Sequence, residues 1–313
     1  TIQKLAESKV GVLLNYGVEL KETEEDFDKT VEKNIEALEF AGKNRSVKAL
    51  CIKITGFGRF ALFEKVQNKE TLTVAERREI VRVKKRLDKI CHTAADNKVA
   101  VYVDAEESWI QNPLDEMVEE MMAKYNKHQC IVFNTFQIYR HDRLPYLVEQ
   151  IAKAKAGSYL LGAKLVRGAY MEKERERAKE MKYPSPIHAN KKAVDKDFDE
   201  AVELCLDNLQ HLHVCVASQS EASNLLAIQL IEKKKLERST DKILFSQLYG
   251  MGDNITFNLA KLGFGATKYL PYGPVKDVIP YLIRRAQENT SVAGQTTREY
   301  SLIKKEIKRR KTR

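Results

Sequence analysis

The stretches Ala49-Leu50-Cys51-Ile52 and Cys130-Ile131-Val132-Phe133 decide how this chain folds. Neither alternates apolar with polar residues, so both faces of each strand must be covered, as in a parallel sheet crossed by helices. Extended to their polar ends they become strand candidates Ala49–Thr55 and Cys130–Phe136. Six further runs join them: Gly11–Val18, Val99–Asp104, Gly162–Arg167, His213–Ala217, Ile243–Leu248 and Ala266–Leu270. Segments with apolar residues three and four apart follow, predicting helices over Glu25–Ala41, Ala75–Asn97, Leu114–Tyr125, Arg143–Ala154, Ala189–Gln210, Glu221–Lys235, Ile255–Leu262 and Val275–Asn289. Eight such units close into an α/β fold, the (β/α)8 barrel of TIM type. A doubly wound open sheet is the rival. Lys179–Ile187, with Pro184 and Pro186, predicts an irregular excursion over the barrel mouth.

A chain of 313 residues suits one barrel, and no Pro/Gly/Ser-rich linker divides it, so residues 1–313 read as a single domain. Its 54 basic and 44 acidic residues leave a net charge of +10. Much of the excess lies in a C-terminal tail at about 301–313 carrying Lys304, Lys305, Lys308, Arg309, Arg310, Lys311 and Arg313. Such a tail suits anionic lipid headgroups, whereas the barrel itself is only mildly basic and no nucleic-acid partner is expected. Cys51, Cys91, Cys130, Cys205 and Cys215 are odd in number and widely spaced, which predicts free thiols in a reducing compartment. No apolar stretch reaches the ~20 residues needed to cross a bilayer. The chain starts at Thr1 without a secretory segment, which reads as a trimmed chain or a domain of something longer. No metal-ligand cluster, P-loop or nucleophile elbow is present in the sequence.

In a (β/α)8 barrel the chemistry gathers at the C-terminal ends of the strands. Those positions hold Lys53, then Asp104-Ala105-Glu106-Glu107, Asn134 and Gln137, Lys164 and Arg167, Ser218 and Gln219, Gln247 and Tyr249, and Tyr269. A lysine inside Ile52-Lys53-Ile54 needs an anion near it. An ion pair with Asp104 is the simplest answer, and a Schiff-base lysine the more reactive one. Gly56-Phe57-Gly58-Arg59-Phe60-Ala61 matches G-x-G-x-x-A, but the next clear helix starts much later, so a loop over the barrel is expected rather than a dinucleotide turn. At about 100° per residue the final helix has two faces. Val278, Ile279, Leu282 and Ala286 share one, while Tyr281, Arg284, Arg285 and Glu288 share the other. Paired arginines beside a tyrosine can clamp a carboxylate or simply face water.

Three blocks carry a resemblance. Val101-Tyr102-Val103-Asp104-Ala105-Glu106-Glu107 and Lys164-Leu165-Val166-Arg167-Gly168-Ala169-Tyr170 resemble the aspartate-bearing and flavin-binding strands of proline dehydrogenases. Tyr269, Pro271-Tyr272-Gly273-Pro274 and Tyr281-Leu282-Ile283-Arg284-Arg285-Ala286-Gln287-Glu288-Asn289 resemble that family's last strand and substrate-capping helix. With Gln247-Leu248-Tyr249-Gly250-Met251-Gly252 they follow family order across nearly the whole chain. The resemblance implies a distorted barrel with the last helix over its mouth, a non-covalent FAD, and oxidation of L-proline to 1-pyrroline-5-carboxylate by hydride transfer to the flavin N5. It implies that Lys53, Arg284 and Arg285 hold the proline carboxylate. Tyr269 and Tyr281 would line the ring pocket, Asp104 would charge-balance it, and Glu288 would belong to the same helix face. For the cofactor it implies Lys164 near the flavin, with Asn134, Val166, Gly168, Ala169, Tyr170, Gln247 and Leu248. Ser218 and Gln219 stand where relatives often carry Thr-His, which weakens the strand-six contacts.

Lys164 and Phe133-Asn134-Thr135 resemble the monofunctional eukaryotic-like branch. Electrons would pass to a membrane quinone through peripheral membrane contact, on the cytoplasmic side of a bacterial inner membrane or at a mitochondrial inner membrane. The rivals are a hydroxyproline dehydrogenase, against which the bulk of Tyr269 argues, and a flavin-free lyase using Lys53 as a Schiff base.

Overall fold

The computed structural model describes residues 1–17, 22–275, 278–279, 283 and 295–311. Eight strands, β1 (Gly11–Tyr16), β2 (Val47–Ile52), β3 (Ala100–Val103), β4 (Val132–Gln137), β5 (Leu161–Val166), β6 (Leu212–Ala217), β7 (Ile243–Leu248) and β8 (Ala266–Tyr272), form a closed barrel in chain order. All pairings are parallel, and β8 closes on β1. The open-sheet alternative is therefore excluded.

Among the described residues the helices are α1 (Ile2–Glu7), α2 (Glu24–Gly42), α3 (Phe60–Gln67), α4 (Val74–Asn97), α5 (Ser108–Tyr125), α6 (Arg143–Ala156), α7 (Met171–Met181), α8 (Lys191–Asp207), α9 (Glu221–Lys233), α10 (Asp253–Lys261) and α11 (Gln295–Lys311). Their starts follow local chemistry. Thr73 and Glu76 form a reciprocal capping box on α4, and the side chains of Thr23, Asn190 and Ser220 accept backbone N–H groups at the starts of α2, α8 and α9.

Strand parity divides the core in two. Leu13, Ala49, Cys51, Tyr102, Phe133, Cys215 and Tyr269 fill the barrel interior. Val12, Leu14, Leu50, Val101, Val132 and Leu165 pack outward with apolar residues of the helices. This double coverage is why the strands carry no polar alternation. The five cysteines are buried free thiols.

Three expectations need correction. The β2–β3 connection carries α3 before α4: Phe57 is buried, Gly58 lies against Phe63 and Val83, and Arg59 pairs with Glu79 at 2.6 Å. The glycine motif is therefore a packed turn and helix start, not a loop over the barrel. Helix α5 begins at Ser108, ahead of the expected Leu114, and runs through Pro113, which is buried within it despite lacking a donor. Helix α7 extends into the stretch expected to be irregular, and the remaining loop is pinned by a bridge between Arg140 and Ile187. The final helix expected over Val275–Asn289 falls largely outside the described residues. Of its apolar face, Val278 is half-buried and Ile279 is exposed.

Candidate active site at the barrel mouth

Inward parity carries on past Tyr102 to Asp104 at the end of β3, and it places Lys164 on β5 and Tyr269 on β8 inside the same mouth. These three join directly. The Lys164 Nζ donates to Asp104 Oδ1 at 2.5 Å, and the Tyr269 hydroxyl donates to Asp104 Oδ2 at 2.7 Å. The ammonium also stands 5.0 Å from the centroid of the Tyr269 ring. Burial acts to lower the Lys164 pKa, but the attraction of Asp104 outweighs it and holds the amine above its usual range. Lys164 is thus a fixed cation, 5% exposed.

The expected Lys53–Asp104 ion pair does not form; the carboxylate oxygens of Asp104 receive Lys164 and Tyr269 instead. Lys53 is half-buried rather than buried. Its Nζ donates to the Tyr170 hydroxyl at 3.3 Å and lies 5.9 Å from that ring's centroid.

The segment after β5 is shaped by sterics. Gly168 has φ +141°, and a Cβ there would sit 2.5 Å from the Tyr139 ring, so a side chain is excluded on two counts. Ala169 is half-buried and Tyr170 is buried, while Val166 and Leu248 are half-buried at the ends of β5 and β7. Ser218 accepts from Arg167 Nη1 at 2.6 Å, and Arg167 is itself held by Asp195 at 2.8 Å and Ser223 at 2.9 Å. Gln219 Nε2 reaches Met251 Sδ at 3.7 Å.

Two expected cofactor contacts turn the other way. Asn134 donates to Asp115 of α5 at 2.8 Å, and Asp115 is tied to Arg143 of α6. Gln247 accepts from Thr256 of α10 at 2.7 Å and donates to the Ser218 carbonyl at 3.0 Å. Both serve the helix layer behind the mouth. Tyr281, Arg284, Arg285 and Glu288 lie outside the described residues.

Glu106, named at the polar end of β3 but given no role by its sequence, has a defined place. Its carboxylate accepts from the Thr55 hydroxyl at 2.5 Å and the Thr55 N–H at 3.2 Å. Burial pushes its pKa up to about 7, against the opposing pull of Lys53 and Thr55. The signal was its parity with Asp104. Because β3 ends at Val103, the chain turns and carries Glu106 sideways to β2's exit.

The family model described as proline dehydrogenase matches residues 1–298. The chain belongs to the proline dehydrogenase family. Proline dehydrogenase 1 of Drosophila melanogaster, named as mitochondrial, is 40% identical over 236 residues, covering 72% of this chain and 35% of its own length. The human mitochondrial counterpart is 36% identical over 241 residues, 76% of this chain and 40% of that protein. The chain thus spans well under half the length of these relatives. CarD, a carbapenem antibiotics biosynthesis protein of Pectobacterium carotovorum, is 32% identical over 98% of this chain and 79% of its own. Proline utilization A of Bdellovibrio bacteriovorus superimposes with a TM-score of 0.81 at 19% identity, over 92% of this chain and 31% of that one. At that identity the likeness speaks for the shared barrel. In this barrel the inward Lys164, Asp104 and Tyr269 occupy the face where the fold gathers its chemistry.

Proposed function

We propose that this chain oxidises L-proline to 1-pyrroline-5-carboxylate with a non-covalent FAD and passes the electrons to a membrane quinone. The observation that carries the reading is the Lys164–Asp104–Tyr269 chain at the mouth of a family barrel. The residues present fit a flavin. Lys164 is a buried cation, held charged by Asp104 and suited to an electron-accepting ring, and Gly250, with φ +80° and open space where a Cβ would be, leaves backbone accessible beyond β7. Lys164, Val166, Gly168, Ala169, Tyr170, Ser218, Gln219 and Leu248 would hold it, with Asn134 and Gln247 bracing the strands behind. FAD, when bound, would supply the hydride acceptor.

The protein's own contribution is orientation. Lys53, with Arg284 and Arg285, would bind the proline carboxylate by charge-assisted contacts. Several cations on one carboxylate fix the ring, so that a single carbon beside the nitrogen is presented for reaction. Tyr269 would wall the ring pocket with Tyr281, and its hydroxyl, anchored on Asp104, keeps that wall in place. Asp104 holds Lys164 charged and Tyr269 oriented, and Glu288 would support the arginine face.

A rigid Tyr269 bears on substrate choice, since one relative is a hydroxyproline dehydrogenase of Xenopus laevis, 36% identical over 230 residues. A phenol pinned to a carboxylate cannot step aside for a ring hydroxyl. Turnover with a soluble dye acceptor and added FAD should favour L-proline over 4-hydroxy-L-proline by at least about tenfold. A preference for the hydroxylated ring would overturn the assignment.

No described helix is long and apolar enough to cross a membrane. We place the enzyme at a membrane surface, as a peripheral partner of the quinone pool, held by the basic residues of α11. The mitochondrial setting named for the animal relatives and the bacterial inner membrane both provide such a surface.

A further inference from the structure

Glu106 is a buried carboxylate that the proposed chemistry leaves without a task. It is 4% exposed, and its two oxygens accept from the hydroxyl and N–H of Thr55. Thr55 sits in the 3-10 turn Ile54–Gly56 that directly follows Lys53. The backbone of Glu106 is fixed from both sides. Its N–H donates to Gln111 Oε1 at 2.7 Å, and its carbonyl accepts from Gln137 Nε2 at 2.7 Å. The carboxylate therefore clamps the backbone that presents Lys53 and cannot swing away to solvent.

Among the described residues the surrounding charges are few. Lys53 makes no direct ion pair with Glu106, yet its positive charge favours the ionised carboxylate, while Glu107 disfavours it. Glu107 is itself neutralised by Lys173 of α7 at 2.5 Å. Glu174 of α7 is engaged with Ser108, and Asp115 of α5 with Arg143. Among the described residues, Lys53 is thus the cation that matters to Glu106.

We propose that Glu106 is the positioning residue for the Lys53 side of the site, and that it takes up a proton from solvent when a carboxylate ligand docks on Lys53. The inference rests on the reading of Lys53 as a carboxylate anchor. An anion arriving at Lys53 consumes the positive charge that favoured ionisation of Glu106, so proton affinity there must rise by linkage. A protonated Glu106 still accepts from the Thr55 N–H and can donate to the Thr55 hydroxyl oxygen, so the clamp survives the change of state. With an unliganded titration near neutrality, roughly half a proton per site is available for uptake at pH 7.

The test is calorimetric titration of the FAD-supplemented chain with cyclopentanecarboxylate, the proline skeleton without its amine, in buffers of low and high ionisation enthalpy. At pH 7 the enthalpy should depend on the buffer with a slope of roughly 0.3–0.5 proton taken up. That uptake should fade toward pH 5, where Glu106 is already protonated, and vanish in Glu106→Gln, which still binds. A buffer-independent enthalpy in the unaltered chain, or uptake that persists in Glu106→Gln, overturns the inference and leaves the anchor intact. Absence of binding, or binding indifferent to Lys53→Met, overturns the anchor and this inference with it. The pH series in the unaltered chain decides the matter even if Glu106→Gln does not fold.

Discussion

Replacing Asp104 by alanine removes the carboxylate that receives both Lys164 and Tyr269. The lysine side chain is only 6% exposed and Asp104 13%, so the amine would lose the anion that holds it charged, with little water to take its place. Breaking such a buried pair costs about 3–5 kcal/mol. At roughly 2 cal/mol/K of unfolding entropy per residue, a chain of 313 residues loses about 6 °C of Tm for 4 kcal/mol. Lys164→Met should cost less, because Asp104 retains the Tyr269 hydroxyl and more solvent. The double variant leaves no stranded charge and should be more stable than the sum of the single losses by at least about 2 kcal/mol. Thermal unfolding of the four proteins followed by circular dichroism measures this coupling. Additive losses, or a shift below about 2 °C for Asp104→Ala, would show that the pair is not what holds the mouth together.

Glu106 has a folded pKa of about 7 against an ordinary 4.5, so the native state binds its proton more tightly than the unfolded chain does. Its contribution to stability is complete below the ordinary value and declines as pH rises to about 7, by about 3 kcal/mol in all. Relative to the unaltered protein, Glu106→Gln should therefore gain stability between pH 5 and pH 8 in denaturant titrations, and a constant difference across that range contradicts the assignment. Tyr269→Ser should open room for a ring hydroxyl and raise the hydroxyproline-to-proline ratio of kcat/KM by about tenfold or more, whereas an unchanged ratio removes Tyr269 from specificity. Removing residues Lys304–Arg313 should abolish flotation with anionic vesicles at low salt, at about 1 kcal/mol per basic residue engaged. Equal flotation of both chains would place membrane contact elsewhere.

The barrel was legible because each strand is covered on both faces, and runs such as Ala49-Leu50-Cys51-Ile52 admit few other architectures. Helix α7 was not, since it has no apolar stripe: its buried residues are Glu174 and Ala178. It is held by Glu174 on Ser108 and by Lys173 and Arg177 against the Trp109 ring, contacts that periodicity cannot reveal. The partner of Asp104 was misread for a related reason. Sequence order puts Lys53 on the adjacent strand, but strand stagger decides which inward side chains meet, and Lys164 reaches Asp104 across the interior. Asn134 and Gln247 lie at strand ends rich in polar groups, yet their parity aims them at α5 and α10. Parity, applied residue by residue, would have separated them from Asp104, Lys164 and Tyr269.

The central claim is most directly tested by the visible spectrum of the FAD-loaded protein, recorded without oxygen before and after adding L-proline. The flavin bands are expected to bleach on addition of proline. Flavin bands that persist would contradict the substrate, and a protein that remains colourless after incubation with FAD would contradict the cofactor and the function built upon it.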